Sequence, residues 1–196
     1  MSGRQDLRTA RTQKHLRQAL CELMLQKPIN KITIRELTER AEVSRCTFYL
    51  YYDSIFGMVK SIENDMLSDY SDGLRTILRE NVDSKKLISE LVTFTFRHKY
   101  DNLPYSRLLY SSAGDQEFIR QYPKMIIEEF GRAFPGKLKP EMITIFNFYI
   151  AGITELLHEW IVNDIKVSPE EMSANVMNII VSGNIFINIF DSCRSK

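Results

Sequence analysis

From residue 16 onward the apolar positions of this chain recur at three- and four-residue steps, and no strand-like alternation is sustained. That period predicts an all-α protein. Leu16, Ala19, Leu20, Leu23 and Met24 form the i, i+3, i+4, i+7, i+8 stripe of a core-facing helix, which Lys27-Pro28 stops. Thr33 and Glu36 have the T-x-x-E spacing of a capping box, so a second helix starts there with Ile34, Leu37 and Ala41 on its buried face. Ala41-Glu42-Val43 reads as a tight turn, and Ser44 as the N-cap of a third helix carrying Phe48 and Tyr52 inward. Beyond it, a linking helix is expected from Asp53 or Ser54 to about Glu80, another from Asp83 or Ser84 to about Tyr100, a short one to Ala113 and one more to Phe134. Pro135-Gly136 ends that run. Pro140 opens a helix with Ile143, Phe146, Ile150, Ile153, Leu157 and Trp160 in period, and Gly152 inside it costs up to about 1 kcal/mol relative to alanine. Ser168-Pro169-Glu170-Glu171 combines N-cap, first-turn proline and capping-box glutamate, and opens a last helix with Met172, Val176, Ile179, Ile180, Gly183, Ile187 and Phe190.

Residues 33–52 therefore read as two short helices broken at one turn, the second presenting polar groups near its start, which is helix-turn-helix geometry. Arg45, Cys46, Thr47 and Tyr49 point away from the core. Ser44 and the first amides of the reading helix suit a phosphate. Arg45 and Thr47 suit base edges, the arginine a guanine and the threonine methyl a thymine methyl. Cys46 faces the groove as well. Tyr49 and Tyr51 are expected to donate to phosphates, Thr33 to do so from the preceding helix, and Lys14 and Arg11 to touch the backbone from the first helix. Phe48 and Tyr52 are expected in the core.

The order of these residues resembles the DNA-binding domain of the TetR family of transcriptional regulators, from Thr9 to about Lys60. The resemblance rests on Ala41-x-Val43-Ser44 followed by Thr47-Phe48-Tyr49, with helix lengths and cap positions in step. Two positions depart from it. Glu42 stands where the family commonly has a turn glycine, and a Cβ there costs about 1 kcal/mol if φ is positive. Ile55 stands where a lysine is frequent, removing one phosphate contact. The segment FNFYIAGITELLHEWI with SPEEM is similar to the C-terminal domain of a Firmicutes-type subgroup that includes dihydroxyacetone kinase operon regulators. The resemblance implies a helix-turn-helix DNA-binding domain over 1–53 and a helical effector-binding and dimerisation domain over 54–196, about nine helices in all. It implies a ligand-responsive repressor that binds a palindromic double-stranded operator as a homodimer. A co-activator or interaction module acting through a partner protein is the alternative.

In such proteins the last two long helices pair with those of a second subunit, and both helices here carry apolar residues on more than one face. Ile153, Leu157, Trp160, Val176, Ile180, Gly183 and Ile187 are the expected dimerisation residues. A small-molecule pocket is implied among the C-terminal helices, with Phe94, His98, Tyr105, Leu108, Tyr110, Phe118, Tyr122, Phe146 and Tyr149 as its candidate lining.

Composition changes this picture in one respect. The net charge is only +1, but residues 1–50 hold ten Lys and Arg against five Asp and Glu, while the remainder is acidic. A basic module on an acidic body is the footprint of a chain that meets phosphate at one end. Three cysteines, widely spaced, argue against a disulfide framework and for a reducing cytoplasm. No signal segment or membrane span is expected, since the most apolar run, residues 179–190, is short and interrupted. His15, His98 and His158 are far apart, and no H-E-x-x-H, C-x-x-C or glycine-rich phosphate loop occurs. No catalytic residue, metal site or cofactor is therefore expected.

Overall fold

The computed structural model describes residues 2–80, 83–110, 116–137, 139–163, 166–183 and 191. Among them ten α-helices and one 3₁₀ turn are found and no strand. The helices are α1 (Ser2–Met24), α2 (Ile34–Arg40), α3 (Arg45–Tyr49), α4 (Ile55–Leu78), α5 (Ser84–Asp101), α6 (Leu103–Tyr110), α7 (Gln116–Ile119), α8 (Gln121–Ala133), α9 (Pro140–Val162) and α10 (Pro169–Gly183). Ile29–Lys31 is the 3₁₀ turn after α1. The helix expected from residue 116 to Phe134 is two, broken at Arg120, and this accounts for ten rather than about nine.

Contacts divide the chain into two units. The first comprises Met1–Met66 with Pro104–Asp115, and the second Leu67–Leu103 with Gln116–Lys196. The sequence boundary at 53/54 coincides with the start of α4, whereas the contact division falls inside that helix.

In the first unit the amphipathic stripe of α1 is buried as expected: Leu16, Ala19, Leu20, Leu23 and Met24 are all in the core. Leu37, Ala41, Phe48 and Tyr52 join them, as do Ile55, Met58, Ile62 and Met66 at the three- and four-residue steps of α4. Ile34 is only half-buried. Thr33 caps α2 by accepting from the Glu36 amide at 3.2 Å. The end of α2 is a Schellman motif, with the Val43 amide donating to Thr38 O at 3.0 Å and the Glu42 amide to Glu39 O at 3.3 Å. That motif needs a left-handed residue at its centre, and Glu42 supplies it with φ 56°.

In the second unit Asp83 caps α5 by accepting from the Lys86 amide at 3.0 Å. The capping box of α10 is closed in both directions: the Glu171 amide donates to Ser168 Oγ at 3.2 Å, and the Ser168 amide to the Glu171 carboxylate at 3.0 Å. α5 and α10 pair along their length, with Thr93 and Ser173 sharing a 2.6 Å hydrogen bond. Trp160 of α9 packs edge-on against Phe96 and stacks on Tyr100, its indole donating to Val167 O at 3.0 Å. α4 and α8 are tied by a carboxylate: Glu129, 3% exposed, accepts two hydrogen bonds from Arg75 at 2.9 Å, one from Ser71 at 3.0 Å and one from Arg132. The Arg75 guanidinium holds the Glu129 carboxyl below the usual carboxylate range.

Candidate nucleic-acid interface

α3 is one and a half turns long, set between two caps. Ser44 is extended (ψ 156°), and its Oγ accepts from the Thr47 amide at 3.0 Å, so the first helical residue is Arg45. The helix closes at Tyr49, with the Leu50 amide still bonding to Cys46 O at 3.2 Å. Ser54 then caps α4, accepting from the Gly57 amide at 3.0 Å. Phe48 points inward and is fully buried, in edge contact with Tyr49 and tilted against Tyr52.

The opposite side of α3 is bare. Ser44, Arg45, Cys46, Tyr49 and Leu50 are exposed, and Thr47 is half-buried with its hydroxyl 2.8 Å from Ser44 Oγ. Thr33, Lys14 and Arg11 are exposed too. Tyr51 is half-buried, its ring 6.4 Å from that of Tyr52, so it belongs to the α3–α4 junction more than to the free face. Leu50 was not among the expected contacts. Its exposure was legible from spacing alone, since it lies one turn after Cys46. Ile55, where the resembling family has a lysine, is buried.

Cys46 and the buried Cys21 are both free thiols, and burial pushes the Cys21 thiol up to about 12. No described helix is long and apolar enough to cross a membrane. Glu155, His158 and Glu159 bring ligand atoms within 4.8 Å of one another along the solvent side of α9. Any helix with the sequence E-x-x-H-E does the same.

The expected effector residues fall into several groups. Phe94, His98, Phe118 and Tyr122 meet around a residue not anticipated, Tyr70: its ring stacks on Phe94 at 5.3 Å and takes His98 and Tyr122 edge-on at 5.1 Å each, while Phe118 lies edge-on to Tyr122. The Tyr70 hydroxyl is 2.8 Å from Thr95 Oγ1, and burial pushes it up to about 12. Lys99, also unanticipated, is 2% exposed with its ammonium 3.2 Å from the Tyr122 ring centroid, and burial holds it well below the ordinary lysine value. The positions of both follow the buried stripes, Tyr70 four residues after Met66 and Lys99 three after Phe96. Phe146 belongs to a separate group with Phe130 and Phe134, and Tyr149 lies against Phe148. Tyr105 and Leu108 are buried in the first unit, where the Tyr105 hydroxyl reaches Glu63 at 3.5 Å, and Tyr110 is half-buried. An open groove of about 540 Å³ lies between α5 and α10, lined by polar groups (Lys86, Ser89, Thr93, Glu170, Ser173) together with Ala174 and Met177, and none of the nine lines it.

The expected dimerisation residues are placed mostly inside the chain's own core. Leu157, Trp160, Val176 and Ile180 are buried and Ile153 is half-buried. The reason is visible at Trp160, whose ring is held by Phe96 and Tyr100. Gly183 ends α10, and Ile187 lies outside the described residues. The apolar groups that α9 and α10 leave in water are Phe148, Leu156, Val162 and Ile179. Phe148, Gly152 and Leu156 are at i, i+4, i+8, and a Cβ built on Gly152 meets nothing within 4 Å.

Residues 87–182 match the TetR_C_8 family, described as transcriptional regulator C-terminal region. An uncharacterized HTH-type transcriptional regulator of Bacillus subtilis (strain 168), YxbF, is 26% identical over 175 residues, 84% of this chain and 43% of that protein. The chain thus spans under half of that relative's length. The fatty acid degradation regulator FadR from Bacillus halodurans has the same fold, with a TM-score of 0.65 at 16% identity over 88% of this chain and 95% of that one. So does the dihydroxyacetone kinase operon activator DhaS, with a TM-score of 0.56 at 16% identity over the same shares.

Proposed function

We propose that this chain is a TetR-family transcriptional regulator that binds a palindromic operator as a homodimer and releases it when a small molecule occupies its C-terminal half, a reading supported by the match of residues 87–182 and by the shared fold. The observation that carries the DNA-binding part is the bare face of α3: Arg45 and Cys46 are exposed and the helix is backed by the fully buried Phe48. The basic balance of residues 1–50 supports the same reading.

A palindrome needs two reading helices about one DNA turn, roughly 34 Å, apart. We assign the second copy to the row Phe148, Gly152 and Leu156 on α9 with Ile179 on α10, because these are apolar and exposed. Gly152 permits close approach of another backbone there. The effector reading is supported by the cluster around Tyr70, where buried Lys99 and His98 sit among aromatic rings. α4, at 24 residues, contributes to both units and is the natural carrier of a change from one to the other. A ligand must prefer the non-binding arrangement to act at all. Lowering operator binding a hundredfold takes about 2.7 kcal/mol of differential affinity. Repression in the cytoplasm is the mode we assign, and a reporter behind the native promoter checks it against the co-activator alternative: deletion of the regulator raises expression under repression and lowers it under activation.

The direct test is selection of duplexes by the purified protein from a random pool, followed by mobility shift. A two-fold-symmetric motif is expected, with affinity falling steeply with salt as phosphate counterions are released. Arg45→Ala should cost about 1–3 kcal/mol and relax preference at one base position per half-site. A selected motif without two-fold symmetry would overturn the homodimer reading.

A further inference from the structure

The exposed stripe of α3 is chemically unusual for a helix that meets DNA. It consists of two i, i+4 pairs, Arg45 with Tyr49 and Cys46 with Leu50, and only one of the four side chains is charged. Leu50 is 77% exposed, the highest value among the exposed large apolar side chains of the described residues. Its amide bonds to Cys46 O at 3.2 Å, so it stands one helical turn above that thiol on the same side. Tyr49 is 57% exposed, its ring held at 80° to buried Phe48. The Thr47 hydroxyl is engaged with Ser44 Oγ at 2.8 Å.

In the major groove the edges of guanine, cytosine and adenine present only donors and acceptors. Thymine alone adds an apolar group, the C5-methyl. A leucine pressed against a polar edge strips water from it without offering a hydrogen bond, which is unfavourable. Against a thymine methyl the same leucine is taken out of water at no polar expense. The preference therefore runs in both directions, toward thymine and away from the other bases.

We propose that Leu50, with Cys46 beneath it, reads thymine C5-methyl groups in each half-site, so that operator recognition by this chain depends on those methyls. The proposal rests on the DNA-binding reading above and adds a specificity-determining residue to it. Arg45 supplies the polar contact, and the Cys46–Leu50 row the apolar one.

The test uses the full-length protein and the duplex obtained by selection. Each dT of the half-site is replaced in turn by dU, which removes one methyl and leaves base pairing intact, and binding is measured for the wild type, Leu50→Asn and Cys46→Ser. At one or two positions dU should weaken wild-type binding by about fourfold, the equivalent of burying one methyl-sized group at about 0.8 kcal/mol. For Leu50→Asn the same replacement should change affinity by less than about twofold, and for Cys46→Ser the penalty should fall at the neighbouring position only. A wild type indifferent to dU at every position overturns the proposal. So does a penalty that persists undiminished in Leu50→Asn, since another side chain then reads the methyl. Failure to enrich or shift any duplex would instead strike at the regulator reading itself. Because Leu50 is exposed, Leu50→Asn should keep the wild-type helical content and melting temperature, which circular dichroism confirms before the affinities are compared.

Discussion

Gly73 lies inside the long helix α4, five residues before its last, where the usual expectation is that alanine would stabilise by about 0.8–1.0 kcal/mol. The structure predicts the opposite sign. A Cβ built at Gly73 would lie 2.1, 2.5 and 2.9 Å from three atoms of the Phe94 ring. Carbon atoms in good contact are about 3.5–4.0 Å apart, so the ring would have to retreat by roughly 1.5 Å. The Cβ meets the tip of the ring, which is not free to retreat cheaply, since the ring stacks on Tyr70 at 5.3 Å and 17° and also borders His98 at 5.9 Å. Forcing one methyl group into such a site costs about 1–3 kcal/mol. Set against the propensity gain, Gly73→Ala should destabilise by roughly 1 kcal/mol and lower the melting temperature by about 2–4 °C. The control is the double-mutant cycle with Phe94→Ala. On that background the obstruction is gone, and Gly73→Ala should stabilise by about 1 kcal/mol, giving a coupling of about 2 kcal/mol between the two sites. Thermal and urea unfolding followed by circular dichroism supply all four corners. If Gly73→Ala raises the stability of the otherwise wild-type protein, the packing argument is wrong.

Three further outcomes follow from particular contacts. Glu42 holds φ at 56°, a conformation that costs an L-residue about 1–2 kcal/mol, so Glu42→Gly should be more stable than Glu42→Ala by about 1 kcal/mol, and equal urea midpoints would refute the strain. The Glu129 carboxyl is held low by Arg75, so its contribution to stability is in full above the unfolded carboxylate value near pH 4.3 and is lost as pH falls through its lower folded value. Glu129→Gln should therefore cost about 1–3 kcal/mol at pH 7, with the gap to wild type closing in acid melts below pH ~4.3, and a gap independent of pH would refute the assignment. Gly152 has open space around it, so Gly152→Leu should leave the protomer folded while raising the dimer dissociation constant in sedimentation, and an unchanged constant would move the interface away from that row.

What was legible in the sequence was whatever is decided within a few residues. Thr33, Ser44 and Ser168 cap the helices they were expected to cap, because each bond joins atoms three residues apart and needs nothing from the rest of the chain. The departure at Glu42 was legible for the same reason: a turn of that length demands positive φ whichever residue occupies it. Choices that depend on a distant surface were not. The period of α9 gives several apolar directions, and only the presence of Phe96 and Tyr100 on α5 decides that Trp160 turns inward while Phe148 stays in water. Lys99 reads as a solvated charge until Tyr122, on another helix, is placed beneath it. The break at Arg120, by contrast, has a local cause that a single helix to Phe134 leaves out: Pro123 has no amide to give the Ile119 carbonyl and its ring clashes with it, so α7 ends at Ile119.

The two departures from the family pattern near the reading helix act in one direction. Glu42 adds a negative charge at the turn before α3, and Ile55 replaces a lysine with a side chain that the first unit buries. If position 55 faces a phosphate in the resembling family, its burial here would shift the balance of the proposed binding away from the DNA backbone, which carries no sequence information. What remains on the bare face of α3 is one guanidinium, one phenol and the Cys46–Leu50 row. Backbone contacts set how tightly any duplex is held and how strongly salt opposes it, whereas base-edge contacts set which duplex is held. Under the proposed function, a chain with fewer backbone contacts and apolar groups toward the bases would draw a larger share of its operator affinity from the bases themselves. On that account the apolar row on α3 and the inward turn of Ile55 are parts of one redistribution, and both lie at the junction where α3 gives way to α4.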